Sequence, residues 1–128
     1  MKPSPPLDPL GRTIDYLRIS VTDQCNERCL YCRPVGYRGW SARPEHLTAA
    51  EILEVAQAAI RIGFRHFRLT GGEPLLRPDL LEIASGLSAL PGIETLSLST
   101  NGTRLASTAE ALRQAGVQSV NLSLDAIQ

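Results

Sequence analysis

Strand-like and helix-like segments alternate along this chain, and that order limits the possible folds more than any other feature of the sequence. Alternation of apolar and polar residues predicts four strands, at residues 16–21, 65–70, 95–99 and 117–124. Three helices are predicted between them, from a capping box at Thr48 to Gly63, over residues 79–90, and from a capping box at Ser107 to Gly116. Apolar residues at helical spacing are Ile52, Val55, Ala56, Ala59 and Ile60 in the first helix, and the residues expected to face inward from the second are Leu80, Ile83, Ala84 and Leu87. This order predicts an α/β fold built from parallel βαβ units.

The predicted strands are apolar on one side only. Their other side carries polar residues, among them Arg18, Arg68, Ser99 and Ser123. Strands of a parallel sheet that is covered on both faces usually read as continuous apolar runs, so the polar side cannot be a dry core. We therefore expect the amino-terminal part of a partial TIM-type barrel, with about four βα units, whose polar side lines a cavity and whose site lies at the carboxyl ends of the strands.

The cysteines form a single group directly after the first predicted strand. Cys25, Cys29 and Cys32 have the spacing C-x3-C-x2-C and are the only cysteines in the sequence. One loop can wrap such thiolates around a metal centre and leave a coordination position open. A [4Fe-4S] cluster normally takes a thiolate on each iron, so a cluster held by this loop alone would keep one iron free for a small chelating molecule.

Other interpretations of these cysteines remain open. Structural zinc needs a further protein ligand, and neither His46 nor His66 has finger-like spacing to the cysteines. Cys29 and Cys32 also form a C-x-x-C pair of the redox type, although Cys25 stands just upstream of it. A structural disulfide is disfavoured because the cysteine count is odd and no secretory signal precedes the motif. A non-catalytic metal-binding module stays possible on this pattern.

Residues 71–74, Gly-Gly-Glu-Pro, follow the second predicted strand. Glycine lets a ligand approach the backbone closely and proline fixes the turn, although a tight strand-to-helix turn would use the same residues. Arg18 and Arg68 lie on the polar parity, where an unpaired guanidinium would be costly. The two arginines therefore predict an anionic ligand. The alternative is that each forms an ion pair at the protein surface.

Composition and charge exclude several classes of function. Lysine plus arginine equals aspartate plus glutamate at 13 each, so no broad basic field serves nucleic acid or an anionic membrane. No apolar stretch approaches the length of a membrane span, and no signal peptide is recognisable, so we expect a cytoplasmic protein. Residues 1–9 hold four prolines and are expected to be a disordered lead-in to one domain over residues 10–128.

Four stretches together resemble the radical S-adenosylmethionine enzymes. They are residues 11–32 with the cysteine motif and Tyr31 before its last cysteine, residues 69–77 (Leu-Thr-Gly-Gly-Glu-Pro-Leu-Leu-Arg), residues 99–102 (Ser-Thr-Asn-Gly) and residues 121–127 (Asn-Leu-Ser-Leu-Asp-Ala-Ile). Within these enzymes the stretches are similar to the branch that cyclises GTP in the first step of molybdenum cofactor synthesis.

The resemblance implies radical chemistry. Cys25, Cys29 and Cys32 would hold a [4Fe-4S] cluster whose free iron binds the amino and carboxylate groups of S-adenosylmethionine. Cleavage of that cofactor would give a 5'-deoxyadenosyl radical that abstracts the 3' hydrogen of GTP, so that C3' attacks C8 of guanine. By motif position, the residues expected to contact S-adenosylmethionine are Tyr31, Gly72, Glu73 and Ser123. The residues expected to contact GTP are Arg18, Arg68 and Ser99.

The chain departs from the resemblance in two respects. Glu27 and Arg33 put charge beside the cluster, which would shift its potential or its exposure to solvent. Members of the branch continue into further βα units and a second cysteine triad, so this sequence is expected to be an amino-terminal part that does not cyclise GTP by itself. The resemblance also implies an electron donor such as flavodoxin or ferredoxin, and allows a homodimer at full length. A related radical enzyme acting on a peptide or another small molecule is the alternative.

Overall fold

The computed structural model describes residues 2–25 and 46–124. In that part of the chain the strands are β1 (Tyr16–Ser20), β2 (His66–Thr70), β3 (Thr95–Thr100) and β4 (Ser119–Leu122). The helices are α1 (Ala49–Arg61), α2 (Leu80–Ala89) and α3 (Leu105–Gln114), with a 3-10 turn at Pro74–Leu76. Neighbouring strands are parallel and follow the order β1-β2-β3-β4. The predicted α/β fold with a parallel sheet is therefore confirmed.

The register of the sheet places residues of like character on the same face. Arg68 of β2 lies beside Arg18 of β1 and Ser97 of β3. One residue further along, Leu69 lies beside Ile19 and Leu98. Because side chains of successive residues point to opposite faces, the sheet has one polar and one apolar face, as the alternation in the sequence predicts.

The apolar face forms the core together with the helices. Its buried apolar side chains are Val21, Ala49, Ile52, Ala56, Ala59, Phe67, Leu69, Leu80, Ile83, Ala84, Leu87, Leu96, Leu98, Leu112, Ala115 and Val117. Full burial of a side chain the size of Leu or Phe contributes about 1.5 to 3 kcal/mol, so this layer fixes the helices on the sheet. None of the helices in the described part of the chain is long and apolar enough to cross a membrane.

Helix α1 begins as the sequence predicts. Thr48 and Glu51 form the capping box, with the Glu51 backbone N–H donating to Thr48 Oγ1 and the Thr48 N–H donating to the Glu51 carboxylate. The apolar pattern of this helix is less well predicted, because Val55 is 47% exposed. At about 100° per residue, Val55 lies well off the stripe centred on Ile52 and Ala56, and so it faces away from the sheet.

Helix α3 begins earlier than the sequence predicts, and the prediction of a capping box at Ser107 is wrong. The helix starts at Leu105, so Ser107 lies inside its first turn and donates its hydroxyl to the Arg104 carbonyl. The turn that precedes it is set by Asn101, whose side-chain oxygen accepts hydrogen bonds from the N–H and the hydroxyl of Thr103. An Asn side chain that bonds its own backbone two residues on makes such a turn, and this leaves Ser107 no capping role.

The amino-terminal segment packs against the turn between α1 and β2. Leu7 pairs with Thr13 in an isolated antiparallel bridge, and the Arg65 guanidinium donates to the Pro3 carbonyl at 3.3 Å. Pro5 lies so close to Gly63 that a Cβ at that glycine would stand 2.3 Å from the proline Cα. These contacts give the segment a defined course, and its disorder in solution stays a prediction.

Candidate functional site at the carboxyl ends of the strands

The loops that follow the strands meet at one edge of the sheet. The Gly72 N–H after β2 donates to the Thr22 carbonyl after β1 at 2.8 Å. After β4, the Ser123 N–H donates to the carbonyl of Thr100 at the end of β3, at 2.9 Å. The convergence expected from parallel strands is thus confirmed for the described residues.

The two glycines after β2 are packed against the chain that leads to the cysteines. A Cβ at Gly71 would lie 2.5 Å from the Thr22 carbonyl oxygen, and one at Gly72 would lie 2.2 Å from the Gln24 carbonyl oxygen. Real Cβ atoms do not come so close to backbone oxygens, so only glycine fits. Both positions must therefore be glycine because the backbone of residues 22–24 packs directly against them. The proposed contact of Gly72 with S-adenosylmethionine stays a prediction.

Glu73 is fully buried and its carboxylate points towards the end of β3. Oε1 accepts the Thr100 hydroxyl at 2.7 Å and the Leu75 N–H at 3.1 Å. Oε2 accepts the backbone N–H of Asn101 at 2.7 Å. A carboxylate has about four acceptor sites, and three of these are used by the protein. The expected contact of Glu73 with S-adenosylmethionine stays a prediction.

Cys25 lies half-buried at the same edge of the sheet. Asn101 Nδ2 is 4.0 Å from Cys25 Sγ, within the range of a hydrogen bond to sulfur. Cys29, Cys32 and Tyr31 lie outside the described residues, so the predicted ligand set is not tested there. Within residues 2–25 and 46–124, no three His, Cys, Asp or Glu side chains are grouped closely enough to hold a metal ion.

The two predicted arginines lie side by side on the polar face. Arg68 donates to Ser97 Oγ at 3.2 Å and to Ser99 Oγ at 3.4 Å, and its guanidinium carbon is 5.6 Å from the centre of the Tyr16 ring. Arg18 is exposed and makes no hydrogen bond or ion pair with another described residue. Neither guanidinium has an acidic partner in that part of the chain, which leaves two positive charges on the face.

Two further contacts connect the ends of the cysteine-bearing segment, and sequence reasoning missed both. Arg77 donates to the Val21 carbonyl at 2.8 Å and to the Leu47 carbonyl at 2.7 Å. His46 Nε2 is 3.0 Å from Asp23 Oδ1. Arg77 is the last residue of the stretch 69–77 that resembles the radical S-adenosylmethionine enzymes, and the sequence gives no other indication that Arg77 has a role at this edge of the sheet. Its hydrogen bond to Asp79 holds the pKa of that carboxyl below the usual 3.8.

The parallel sheet carries Gly71, Gly72 and Cys25 at its carboxyl edge, as expected for the radical S-adenosylmethionine enzymes that the sequence resembles. The model of the Radical SAM superfamily matches residues 19–128, and the chain belongs to this superfamily.

Curated relatives narrow the comparison. The chain is 46% identical over 121 residues to the GTP 3',8-cyclase of Haemophilus influenzae (strain 86-028NP). It is 47% identical over 120 residues to the GTP 3',8-cyclase of Listeria monocytogenes serovar 1/2a (strain ATCC BAA-679 / EGD-e). Each match includes 94% of this chain but only 36% of the relative's length.

The fold is also similar to that of a solved structure. The crystal structure of BtrN in complex with AdoMet and 2-DOIA superposes with a TM-score of 0.70, over 91% of this chain and 48% of the BtrN chain. Sequence identity is 20%, so this likeness concerns the fold alone.

Membership of the superfamily implies a [4Fe-4S] cluster and S-adenosylmethionine as cofactors. The described residues fit these groups. Cys25 brings a thiol to the carboxyl edge of the sheet, and Asn101 places an amide donor beside it. Gly71 and Gly72 are exposed and pack against the backbone of residues 22–24, which leads to Cys25.

Proposed function

We propose that this protein acts as a GTP 3',8-cyclase, which converts GTP into 3',8-cyclo-7,8-dihydro-GTP in the first step of molybdenum cofactor biosynthesis. The observation that carries the proposal is the identity of 46% to 47% with proteins of that name over 94% of this chain. The chain spans 36% of the length of those relatives, so the activity of the whole protein is part of the proposal.

The cofactor side of the site would be built on the loops after β1, β2 and β4. Cys25, Cys29 and Cys32 hold the cluster in this proposal. Tyr31, Gly72, Glu73 and Ser123 contact S-adenosylmethionine. When bound, these cofactors supply a carbon radical able to remove the 3' hydrogen of the nucleotide. The protein's own task is to hold the cysteines at a fixed distance from the substrate, and the fit of Gly71 and Gly72 against residues 22–24 supports this.

The substrate side of the site would be the polar face of the sheet. Arg18, Arg68 and Ser99 contact GTP in this proposal. Guanidinium groups suit phosphate and ribose oxygens because they donate two parallel hydrogen bonds. Arg68 is held by Ser97 and Ser99 and lies over Tyr16, so its orientation is set before a ligand arrives. Arg18 has no acidic partner among the described residues and is available to the triphosphate.

The proposal extends to partners and compartment. An electron donor such as flavodoxin or ferredoxin would supply the electron that the radical chemistry requires. The cytoplasm is the proposed location, and a homodimer is the proposed assembly of the full-length enzyme. Neither nucleic acid nor a membrane is among the proposed partners, because the charges balance at 13 of each sign.

Anaerobic reconstitution with iron and sulfide, followed by equilibrium binding of nucleotides, tests the proposed function. We expect the cluster signal in electron paramagnetic resonance, binding of S-adenosylmethionine, and binding of GTP in preference to a peptide panel. In an enzyme that completes the reaction, the product is an isomer of GTP, which chromatography separates from the substrate at equal mass.

The possible outcomes separate the alternatives. A reconstituted chain that binds S-adenosylmethionine but does not bind GTP in preference to the peptides would belong to another radical enzyme. A chain that takes up zinc and never forms an iron–sulfur cluster would be a metal-binding module, and the proposal would be wrong.

A further inference from the structure

We propose that Asn101 is a positioning residue that donates a hydrogen bond to the Cys25 thiolate and thereby raises the reduction potential of the cluster, and that the buried carboxylate of Glu73 fixes Asn101 for this task. The inference rests on the proposed function, because it takes Cys25 as a ligand of the cluster. It assigns to Glu73 a role directed at the protein's own loop after β3.

The carboxylate of Glu73 is the anchor of this arrangement. Glutamate is rarely buried completely without a cationic partner, yet Glu73 has 0% exposure and no ion pair within the described residues. Its charge is met by the Thr100 hydroxyl and by the backbone N–H groups of Leu75 and Asn101. Each of these bonds would leave a buried polar group unsatisfied if it broke. The loop after β3 is therefore held firmly to the loop after β2.

The orientation of the Asn101 amide follows from its other contacts. Its Oδ1 accepts the Thr103 N–H at 3.1 Å and the Thr103 hydroxyl at 2.9 Å. Only the oxygen of an amide can accept these bonds, so the amide cannot be flipped without losing both. Nδ2 must then point the opposite way, and it lies 4.0 Å from Cys25 Sγ. The hydrogen bonds that form the turn therefore direct Nδ2 towards the sulfur.

A hydrogen bond to a ligating sulfur stabilises the cluster in its more negative form. One-electron reduction adds a negative charge to the cluster and its thiolates, so an N–H donor at Cys25 favours the reduced state. Hydrogen bonds to the sulfurs are among the features that set the potential of such clusters. Removing the donor should make the cluster harder to reduce without removing any ligand.

Two substitutions at Asn101 separate the donor from the turn. Asn101→Asp keeps an oxygen for the Thr103 donors and replaces the Nδ2 donor with a charged acceptor. Asn101→Ala removes the donor without adding charge. The matched control is Thr103→Ala, which removes the hydroxyl donor to Oδ1 but leaves the Thr103 N–H and the Asn101 amide in place.

The measurement is a redox titration of the reconstituted chain followed by electron paramagnetic resonance. We expect both Asn101 variants to hold iron and sulfide as the unchanged chain does, and to shift the equilibrium between reduced and oxidised cluster about tenfold towards the oxidised form. A tenfold shift in a one-electron couple is about 59 mV to lower potential. Thr103→Ala should keep the original potential.

Glu73→Gln tests the anchor. The glutamine amide presents a donor where an oxygen accepted before, so either the Asn101 N–H or the pair from Thr100 and Leu75 loses its acceptor. We expect a shift to lower potential, as in the Asn101 variants, together with faster hydrogen exchange of the Asn101 backbone N–H. Asn101→Ala keeps the hydrogen bond from the backbone N–H of residue 101 to Glu73, so the exchange of that backbone N–H should stay slow.

The outcomes distinguish this inference from the proposed function. If the unchanged chain forms no [4Fe-4S] cluster, the proposed function fails and the inference falls with it. If the cluster forms but the Asn101 variants keep the original potential, the inference alone is wrong. A shift in Asn101→Asp without one in Asn101→Ala would show an effect of the added charge, and it would also overturn the inference.

Discussion

Asp79 binds the guanidinium of Arg77 through two contacts, with Nε 2.6 Å from Oδ1 and Nη2 3.2 Å from Oδ2. The same guanidinium donates to the carbonyls of Val21 and Leu47. Those two residues flank the segment that carries the cysteines, so one side chain joins both of its ends to the start of α2.

Replacing Arg77 with methionine should destabilise the protein by about 1.5 to 3 kcal/mol, the usual range for a hydrogen bond to a charged group. The substitution leaves the Val21 and Leu47 carbonyls without their donor. Urea denaturation followed by circular dichroism measures the loss, and iron content after reconstitution measures the effect on the cysteine segment. Arg113→Met is the control, because Arg113 is exposed near the end of α3. Equal stability of the two variants would contradict the prediction.

Acid should weaken the contact between Arg77 and Asp79. The hydrogen bond from Arg77 holds the pKa of Asp79 below 3.8 in the folded protein. A carboxyl whose pKa is lower in the folded than in the unfolded state contributes stability above the unfolded pKa and loses it as the pH falls through the folded pKa. We expect Asp79→Asn to be less stable than the unchanged protein near neutral pH, and to lose less stability on acidification.

The control for this pH dependence is Glu54→Gln, which changes an exposed carboxyl on α1. Thermal unfolding across the acid range, recorded for all three proteins, makes the comparison. Parallel stability curves for Asp79→Asn and the unchanged protein would show that the pair contributes no pH-dependent stability.

A methyl group at Gly72 should displace the backbone that leads to Cys25. The new Cβ would stand 2.2 Å from the Gln24 carbonyl oxygen, and overpacking of this kind costs about 1 to 3 kcal/mol. We expect Gly72→Ala to lower both the free energy of unfolding and the iron content. Gly86→Ala is the control, since its Cβ would meet only the flexible end of Leu53. Full iron content in Gly72→Ala would show that the fit of the glycine does not position the cysteine.

The three cysteines should behave as one unit. Replacing Cys25, Cys29 or Cys32 with serine leaves one iron of the cluster without its protein thiolate, so each variant should lose most of its iron and sulfide. Chemical analysis of iron and sulfide after anaerobic reconstitution checks this. If any single variant kept a full complement, the shared-cluster interpretation would be wrong.

The two arginines on the polar face should matter more for GTP than for S-adenosylmethionine. Arg18→Ala and Arg68→Ala should each weaken GTP binding by about 1.5 to 3 kcal/mol, because each removes charge-assisted bonds to an anionic ligand. Isothermal titration with both ligands gives the comparison, and Arg113→Ala serves as the control. Equal loss for the two ligands, or no loss, would show that these arginines do not face the nucleotide.

Local patterns in the sequence were sufficient wherever a residue's neighbours decide its conformation. The capping box at Thr48 and the buried stripe of α2, which includes Ile83 and Leu87, follow from helical periodicity and are confirmed. The errors occur where a tertiary contact competes with the pattern. Ser107 has the spacing of a cap, but the turn at Asn101 starts α3 earlier.

The sequence by itself determined the order of strands and helices, the polar face with its arginines, and the group of cysteines at the end of β1, because each depends on spacing along the chain. Tertiary structure alone decided that Glu73 bonds the end of β3, 27 residues away, and that Arg77 reaches Val21 across 56 residues. These partners are set by the register of parallel strands and by how the loops fill the same edge. Neither register nor loop packing leaves a periodic signal in the chain. In the sequence, Glu73 and Arg77 therefore cannot be distinguished from ordinary polar residues of a turn, because their partners are known only from the fold.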